Sequence, residues 1–225
     1  MPRIARIVIP DVPYHVTQRG NNRQDVFFTD DDRRFYLETL REQSEKFGLD
    51  VLGWCLMTNH VHLVAVPRRP DSLAKAAGRA DWLYARAINR LHRRSGHLWQ
   101  NRFYSCALDE THVVTAMRYV EQNPVRAKAC RSAWAYRWSS ASAHVTGRDA
   151  SGLLLLKPWL GDWPPGEWRK MLKEGLEESA VATLRQFTHR GRPLGTDAFL
   201  SRMESLIGRR VRPLPVGRPK GKENR

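Results

Sequence analysis

The stretch VLGWCLMTNHVHLVAV, residues 51–66, constrains the fold of this chain more than any other. Two apolar runs, 51–57 and 60–66, are separated only by Thr58 and Asn59. A two-residue connection lets the runs pair only as an antiparallel hairpin. Pro67 and Pro70 close the second run because proline cannot donate to a ladder. Side chains at i and i+2 share one face of a strand. His60 and His62 therefore project together, with Val64 on the same side.

The flanking segments supply the rest of a small domain. PYHVTQRG (13–20) alternates as a strand and runs into the loop RGNNR. Asp30 to Asp32 are expected to give an N-cap and an acidic first turn to a helix ending near Gly48. A second long helix is expected over 72–94, with Leu73, Ala76, Trp82, Leu83 and Ile88 among its apolar positions. Residues 98–108, LWQNRFYSCAL, read as strand-like. A third helix is expected from Thr111 to about Gln122, stopped by Asn123-Pro124 because the residue before proline avoids the α region. This order implies an α+β domain, an antiparallel sheet with packed helices, over residues 1–150. Residues 151–184 form a connection rich in Trp and Pro that becomes helical, and 185–225 form a basic C-terminal extension. Within it, 197–210 reads as a short amphipathic helix with Phe199, Met203 and Leu206 inward.

Charge narrows the partner. The chain has 38 Lys and Arg against 23 Asp and Glu, a net +15 over 225 residues. Such an excess points to a polyanion, most simply nucleic acid. The extension holds 11 Lys and Arg against 3 Asp and Glu, so +8 lies there. Lys75, Arg79, Arg86, Arg90, Arg93 and Arg94 face a single Asp81 across 72–97. Arg86, Arg90, Arg93 and Arg94 fall near one helical face and suggest a phosphate track, or simply a solvated basic face. Arg3, Arg6, Arg19 and Arg23 could extend it. HRGRP (189–193, with Arg190 and Arg192) and VGRPKGK (216–222) are similar to Gly-Arg-Pro hooks of the narrow minor groove. A basic tail with non-specific affinity fits them equally. Trp99 and Tyr104 could stack on unpaired bases or pack in the core. Cys55, Cys106 and Cys130 form no disulfide framework, the N-terminus has no signal-peptide core, and LLLL at 153–156 is too short to span a membrane. A cytoplasmic, nucleoid-associated protein is expected.

Two imidazoles on one rigid strand can share a divalent metal; two hydrogen-bonded histidines on a half-buried face fit the same spacing. On the third helix, Val113, Met117 and Val120 make an apolar stripe, and Tyr119 and Asn123 stack on its flank. Tyr119 there could be a nucleophile and Asn123 a neutral metal ligand. An amphipathic tyrosine at the core edge and a C-capping asparagine remain open.

Four motifs carry a family resemblance: M-x-N-H-V-H (Met57 to His62), G-x-x-W-Q-x-R-F (Gly96, Trp99, Gln100, Arg102, Phe103), R-Y-V-E-x-N-P-V-R-A (Arg118 to Ala127) and Y-x-W-S-S-A (Tyr136 to Ala141). With PYHVTQRGNNRQ at 13–24, they resemble the single-tyrosine HUH transposases, in particular the REP-associated tyrosine transposase branch, over roughly residues 3–163. Thr58 stands where that family commonly has proline, and Lys128 where it has glycine.

The resemblance implies an HUH nuclease fold, ferredoxin- or RRM-like, that cuts and rejoins single-stranded or hairpin DNA from repetitive palindromes through a 5′-phosphotyrosine. It implies Tyr119 as nucleophile, His60, His62 and Asn123 as ligands of Mg2+ or Mn2+, and DNA contacts that include Arg102. Tyrosine is protonated at neutral pH, so the metal or a nearby arginine must favour the phenolate. The alternative is a non-catalytic DNA-binding protein that retains the fold. Monomer and homodimer both remain open.

Overall fold

The computed structural model describes residues 8–212. The chain runs β1 (Tyr14–Arg19), α1 (Asp30–Phe47), β2 (Leu49–Met57), β3 (His60–Pro67), α2 (Ser72–Leu91), β4 (Tyr104–Ala107), α3 (Glu110–Glu121) and the single turn α4 (Asn123–Arg126). Five helices follow: α5 (Ala141–Thr146), α6 (Leu156–Asp162), α7 (Pro165–Lys173), α8 (Glu178–Arg190) and α9 (Asp197–Ile207). The strands form one sheet in the order β2-β3-β1-β4, antiparallel at every step. The molecule is thus the α+β fold expected from the hairpin and its flanks. No described helix is long and apolar enough to cross a membrane.

The pleat divides the core in two. Tyr14 and Val16 of β1 and Val61, Leu63 and Ala65 of β3 pack under α1 and α2, against Leu40, Leu73, Tyr84 and Ile88. The alternate residues Cys55, Val64 and Cys106 face the other way, where Met117 and Val120 of α3 cover them. Each fully buried side chain of this size contributes about 1.5–3 kcal/mol, so α3 is held on the sheet mainly by its apolar stripe. Gly53 sets how closely it sits: a Cβ there would lie 2.6 Å from Met117 Sδ. The α1–β2 junction needs Gly48, which ends α1 at φ 64° and so in the left-handed region that glycine tolerates.

Several local expectations are corrected. Thr29, not an aspartate, is the N-cap of α1: its hydroxyl accepts from Asp32 N (3.2 Å), and the Asp32 carboxylate accepts from Thr29 N (2.8 Å). Only Tyr104–Ala107 of the aromatic segment is strand; Leu98, Trp99 and Phe103 instead plug the α1/α2 core. Trp82, one of the apolar positions of α2, is 52% exposed, because the buried face is taken by Ala80, Tyr84 and Ile88. Leu206 of α9 is also exposed, whereas Met203 is buried. The structure ends α2 at Leu91, before Arg93 and Arg94.

The C-terminal half is built onto this frame. Trp159, Trp168, Leu172, Val181, Leu184 and Leu194 join the core beneath α3 and β4. The join is also polar. Buried Glu121 of α3 accepts from Ser140 Oγ (2.5 Å) and pairs with His144 Nδ1 (2.5 Å) through Oε1, and accepts from Trp168 Nε1 (2.8 Å) through Oε2. The HRGRP stretch is a helix end: Gly191, at φ 64°, caps α8, and Arg192 Nη1 donates to the carbonyls of Val211 (2.6 Å) and Arg212 (3.1 Å). Arg3, Arg6 and the VGRPKGK stretch lie outside the described residues.

Candidate active site

His60 and His62 sit on the α3 face of β3, as their i, i+2 spacing requires, with ring centroids 5.0 Å apart at 88°. Cross-strand pairing of Thr17 with His62 places β1 beside them, and the same face of β1 carries His15. Tyr119, one flank over from the apolar stripe of α3, brings its ring edge-on to both: 5.4 Å from His62 and 5.6 Å from His15, centroid to centroid. Asn123 follows one turn later, its Nδ2 3.2 Å from His60 Nε2. Asn123 opens α4 rather than capping α3, whose C-cap is Gln122. The four residues singled out in the sequence, on β3 and on α3 and α4 some 60 positions later, therefore meet at one place.

Hydrogen bonds set the imidazoles. Asn59 Nδ2 donates to Arg23 O (3.0 Å), which turns Asn59 Oδ1 toward His60 Nδ1 at 2.6 Å. A carboxamide oxygen only accepts, so His60 carries its proton on Nδ1 and offers a bare Nε2. His62 Nδ1 lies 3.0 Å from His15 Nε2, and His15 Nδ1 lies 2.8 Å from Thr188 Oγ1 on α8. This chain lets His62 donate through Nδ1 and likewise leave Nε2 bare. Burial, then the positive charges of Arg19, Arg185 and Arg126, push His60 down to about 3. Burial and Arg126 push His15 down to about 3. Burial, with the neighbouring imidazoles and arginines, holds His62 well below its usual value. Neutral imidazoles with unprotonated nitrogens are what a divalent cation needs; the Asn123 amide stands beside them with its Nδ2 on His60 Nε2, and its oxygen could join them as a donor only after the amide turns over. Among the described residues, no three His, Cys, Asp or Glu side chains form a metal-holding group by themselves.

Two arginines embrace the tyrosine. Arg126 stacks on its ring, 4.2 Å from guanidinium carbon to centroid, and donates from Nη2 to Tyr119 O (2.7 Å). Arg185 of α8 donates from Nε to Tyr119 Oη (3.1 Å). Both line a cleft of about 610 Å³ between α3–α4 and α7–α8, with Lys173, Glu174 and Glu178 on its walls.

The expected DNA-contact arginines are spread more widely. Arg19 ends β1 close enough to the site for its charge to act on His60. Arg23, Arg102 and Arg190 are exposed. Arg86 and Arg90 are exposed on α2, Arg86 over the Trp82 ring at 5.0 Å. Arg93 adopts φ 49° past the helix end, and Arg94 Nη2 donates to Gln24 Oε1 (2.6 Å). The single helical stripe drawn from their spacing is therefore interrupted after Arg90. Trp99 is a core residue whose Nε1 donates to Asp81 O (2.8 Å), and Tyr104 packs against His189 (4.6 Å). Four residues at the site were not singled out in the sequence: His15, Arg126, Arg185 and Thr188. Arg126, inside the R-Y-V-E-x-N-P-V-R-A motif, and His15, inside PYHVTQRGNNRQ, had a signal; Arg185 and Thr188 are brought in by helix docking.

A family model described as IS200-like transposase matches residues 9–123, just over half of the 225-residue chain. The fold is similar to that of a REP-associated tyrosine transposase solved bound to a REP hairpin, with 16% identity and a TM-score of 0.57 over 68% of this chain and 90% of that one. A protein assigned as a transposase in Deinococcus radiodurans R1 aligns at 20% identity and a TM-score of 0.38, over 54% of this chain and 97% of that one. No curated protein sequence matches the chain.

Proposed function

The chain belongs to the IS200-like transposase family, and we propose that it is a single-tyrosine HUH nuclease and strand transferase acting on single-stranded, hairpin-forming DNA. The observation that carries this reading is the convergence of Tyr119, His60, His62 and Asn123 on the α3 face of the sheet, beside a cleft lined by Arg126 and Arg185. A non-catalytic binder would have no need of a phenol, two bare imidazole nitrogens and a carboxamide at one point. The likeness to a transposase solved with a REP hairpin supports hairpin-forming repeats as the substrate class, and the net charge of +15 suits a nucleic acid held in the cytoplasm at the nucleoid.

His60 and His62 through Nε2, and Asn123 through its amide oxygen, would hold Mg2+ or Mn2+. When bound, such an ion supplies Lewis-acid charge withdrawal from a phosphodiester. The protein does the rest. All three ligands are neutral, so none of the ion's charge is cancelled. Asn59 and His15 fix the ring orientations. Arg126 pins the Tyr119 ring and main chain, so Oη is presented in one place. Oη forms a bond to phosphorus as the bond to O3′ breaks. The phenolic proton is lost to solvent, and the departing O3′ takes one up. The product is a 5′-phosphotyrosine with a free 3′-hydroxyl, and attack by another 3′-hydroxyl reverses it, which makes the enzyme a joiner as well as a nickase.

The test is a cleavage assay on labelled single-stranded hairpin DNA with Mg2+ or Mn2+, read on denaturing gels. A metal-dependent covalent adduct on the fragment bearing the 5′-phosphate, absent from Tyr119→Phe and His60→Ala, is the expected result. Tight binding with no adduct under either metal would leave the non-catalytic reading standing.

A further inference from the structure

Helix α8 lies well beyond the family-matched residues 9–123, yet it reaches the catalytic cluster twice. Arg185 Nε is 3.1 Å from Tyr119 Oη, and its guanidinium carbon is 5.6 Å from the ring centroid. Three residues on, Thr188 Oγ1 is 2.8 Å from His15 Nδ1, and His15 Nε2 is 3.0 Å from His62 Nδ1. Positions i and i+3 lie on one helical face, so a single docking of α8 serves both contacts. That docking is firm: Val181, Leu184 and Thr188 are buried. Arg185 itself is exposed and lines the cleft beside Arg126 and Lys173. It therefore links the nucleophile's oxygen, through Nε, to a basic cleft that the tyrosine itself does not line.

We infer that Arg185 is a further catalytic residue, an arginine supplied by the C-terminal helix that holds Tyr119 Oη and clamps the scissile phosphate. The role rests on the single-tyrosine chemistry proposed above. As the Oη–phosphorus bond forms and the bond to O3′ breaks, negative charge is redistributed over the phosphoryl oxygens. A guanidinium has five N–H donors in a planar fork. With Nε on Oη, its two Nη groups are left for phosphoryl oxygens, a bidentate geometry that a lysine cannot reproduce. Arg185 transfers no proton in this step; it orients and neutralises. The Thr188–His15–His62 chain holds α8 in register with the metal ligands, so nucleophile and ligand are set by the same helix.

The experiment compares full-length wild type, Arg185→Lys, Arg185→Ala, Thr188→Val and Tyr119→Phe on one labelled hairpin strand with Mn2+. It measures single-turnover adduct formation, strand binding in EDTA and the unfolding temperature. The expected result is a loss of adduct rate of about 10²–10³-fold in Arg185→Ala, a smaller recovery in Arg185→Lys, and unchanged unfolding temperature. Guanidinium ion, added below denaturing levels, should restore rate to Arg185→Ala and not to Tyr119→Phe, which a merely structural role would not produce. Arg185→Ala reacting as fast as wild type, or faster, would overturn the role and make Arg185 a cover over the tyrosine. A wild type that yields no adduct would instead sink the single-tyrosine reading, and the role of Arg185 with it.

Discussion

Lys128 and the three site histidines show how much rests on single residues. Lys128 holds φ 57° just after α4, in the region where a Cβ costs about 1–2 kcal/mol. Lys128→Gly is therefore expected to stabilise the protein, by up to about 1 kcal/mol after glycine's greater entropy loss, read as a rightward shift of a urea melt. The histidines make stability pH-dependent. An unfolded histidine titrates near 6.5, whereas folded His15 and His60 are pushed down to about 3 and His62 is held well below its usual value. Below about pH 6.5 the unfolded chain takes up protons that the folded chain refuses, so their contribution is complete above that pH and is lost as the pH falls. The unfolding temperature of metal-free protein should drop between pH 7 and 5, and His15→Phe should make that drop shallower. An equal slope in the two proteins would show that His15 is not held neutral.

At the scale of elements, α3 is the part that joins sheet, nucleophile and C-terminal half. Its closeness depends on Gly53, and Gly53→Ala would set a Cβ 2.6 Å from Met117 Sδ. Overpacking of this kind costs about 1–3 kcal/mol. Because Tyr119 is two residues from Met117, the adduct rate should fall along with stability. The other side of α3 depends on Glu121, whose Oε2 is satisfied by Trp168 of α7 at 2.8 Å. Trp168→Phe keeps most of the ring but leaves a buried carboxylate oxygen without its donor, a cost of about 1–3 kcal/mol measurable by denaturant unfolding. A cost near zero would mean that water takes the indole's place.

At the scale of the whole molecule, the domain boundary expected near residue 150 marks a change of composition rather than an end of the core. Trp159, Trp168, Val181 and Leu184 complete the layer beneath Leu108, Met117 and Val120. A chain stopped at residue 150 leaves that layer open to water, and it is expected to aggregate or to bind the dye ANS strongly, whereas the full chain does not. Leu184, 1% exposed, gives a milder version: Leu184→Ala should cost about 2–5 kcal/mol.

The hairpin, the i, i+2 histidines and the i, i+4 pair Tyr119 and Asn123 were all legible because strand and helix periods are local properties of the chain. So were the α+β class and the basic excess. What the tertiary structure alone decided is which faces meet. The register of β1 against β3 brings His15 behind His62, and the packing of Leu184 and Val181 delivers Arg185 and Thr188 from the far end of the chain. Leu206 was misplaced for the same reason: an apolar side chain's period assigns it to a stripe, but whether the stripe's edge is covered depends on a neighbour the local sequence does not name. A cluster made of side chains from β1, β3, α3 and α8 exists only once burial of apolar surface has brought those four elements together.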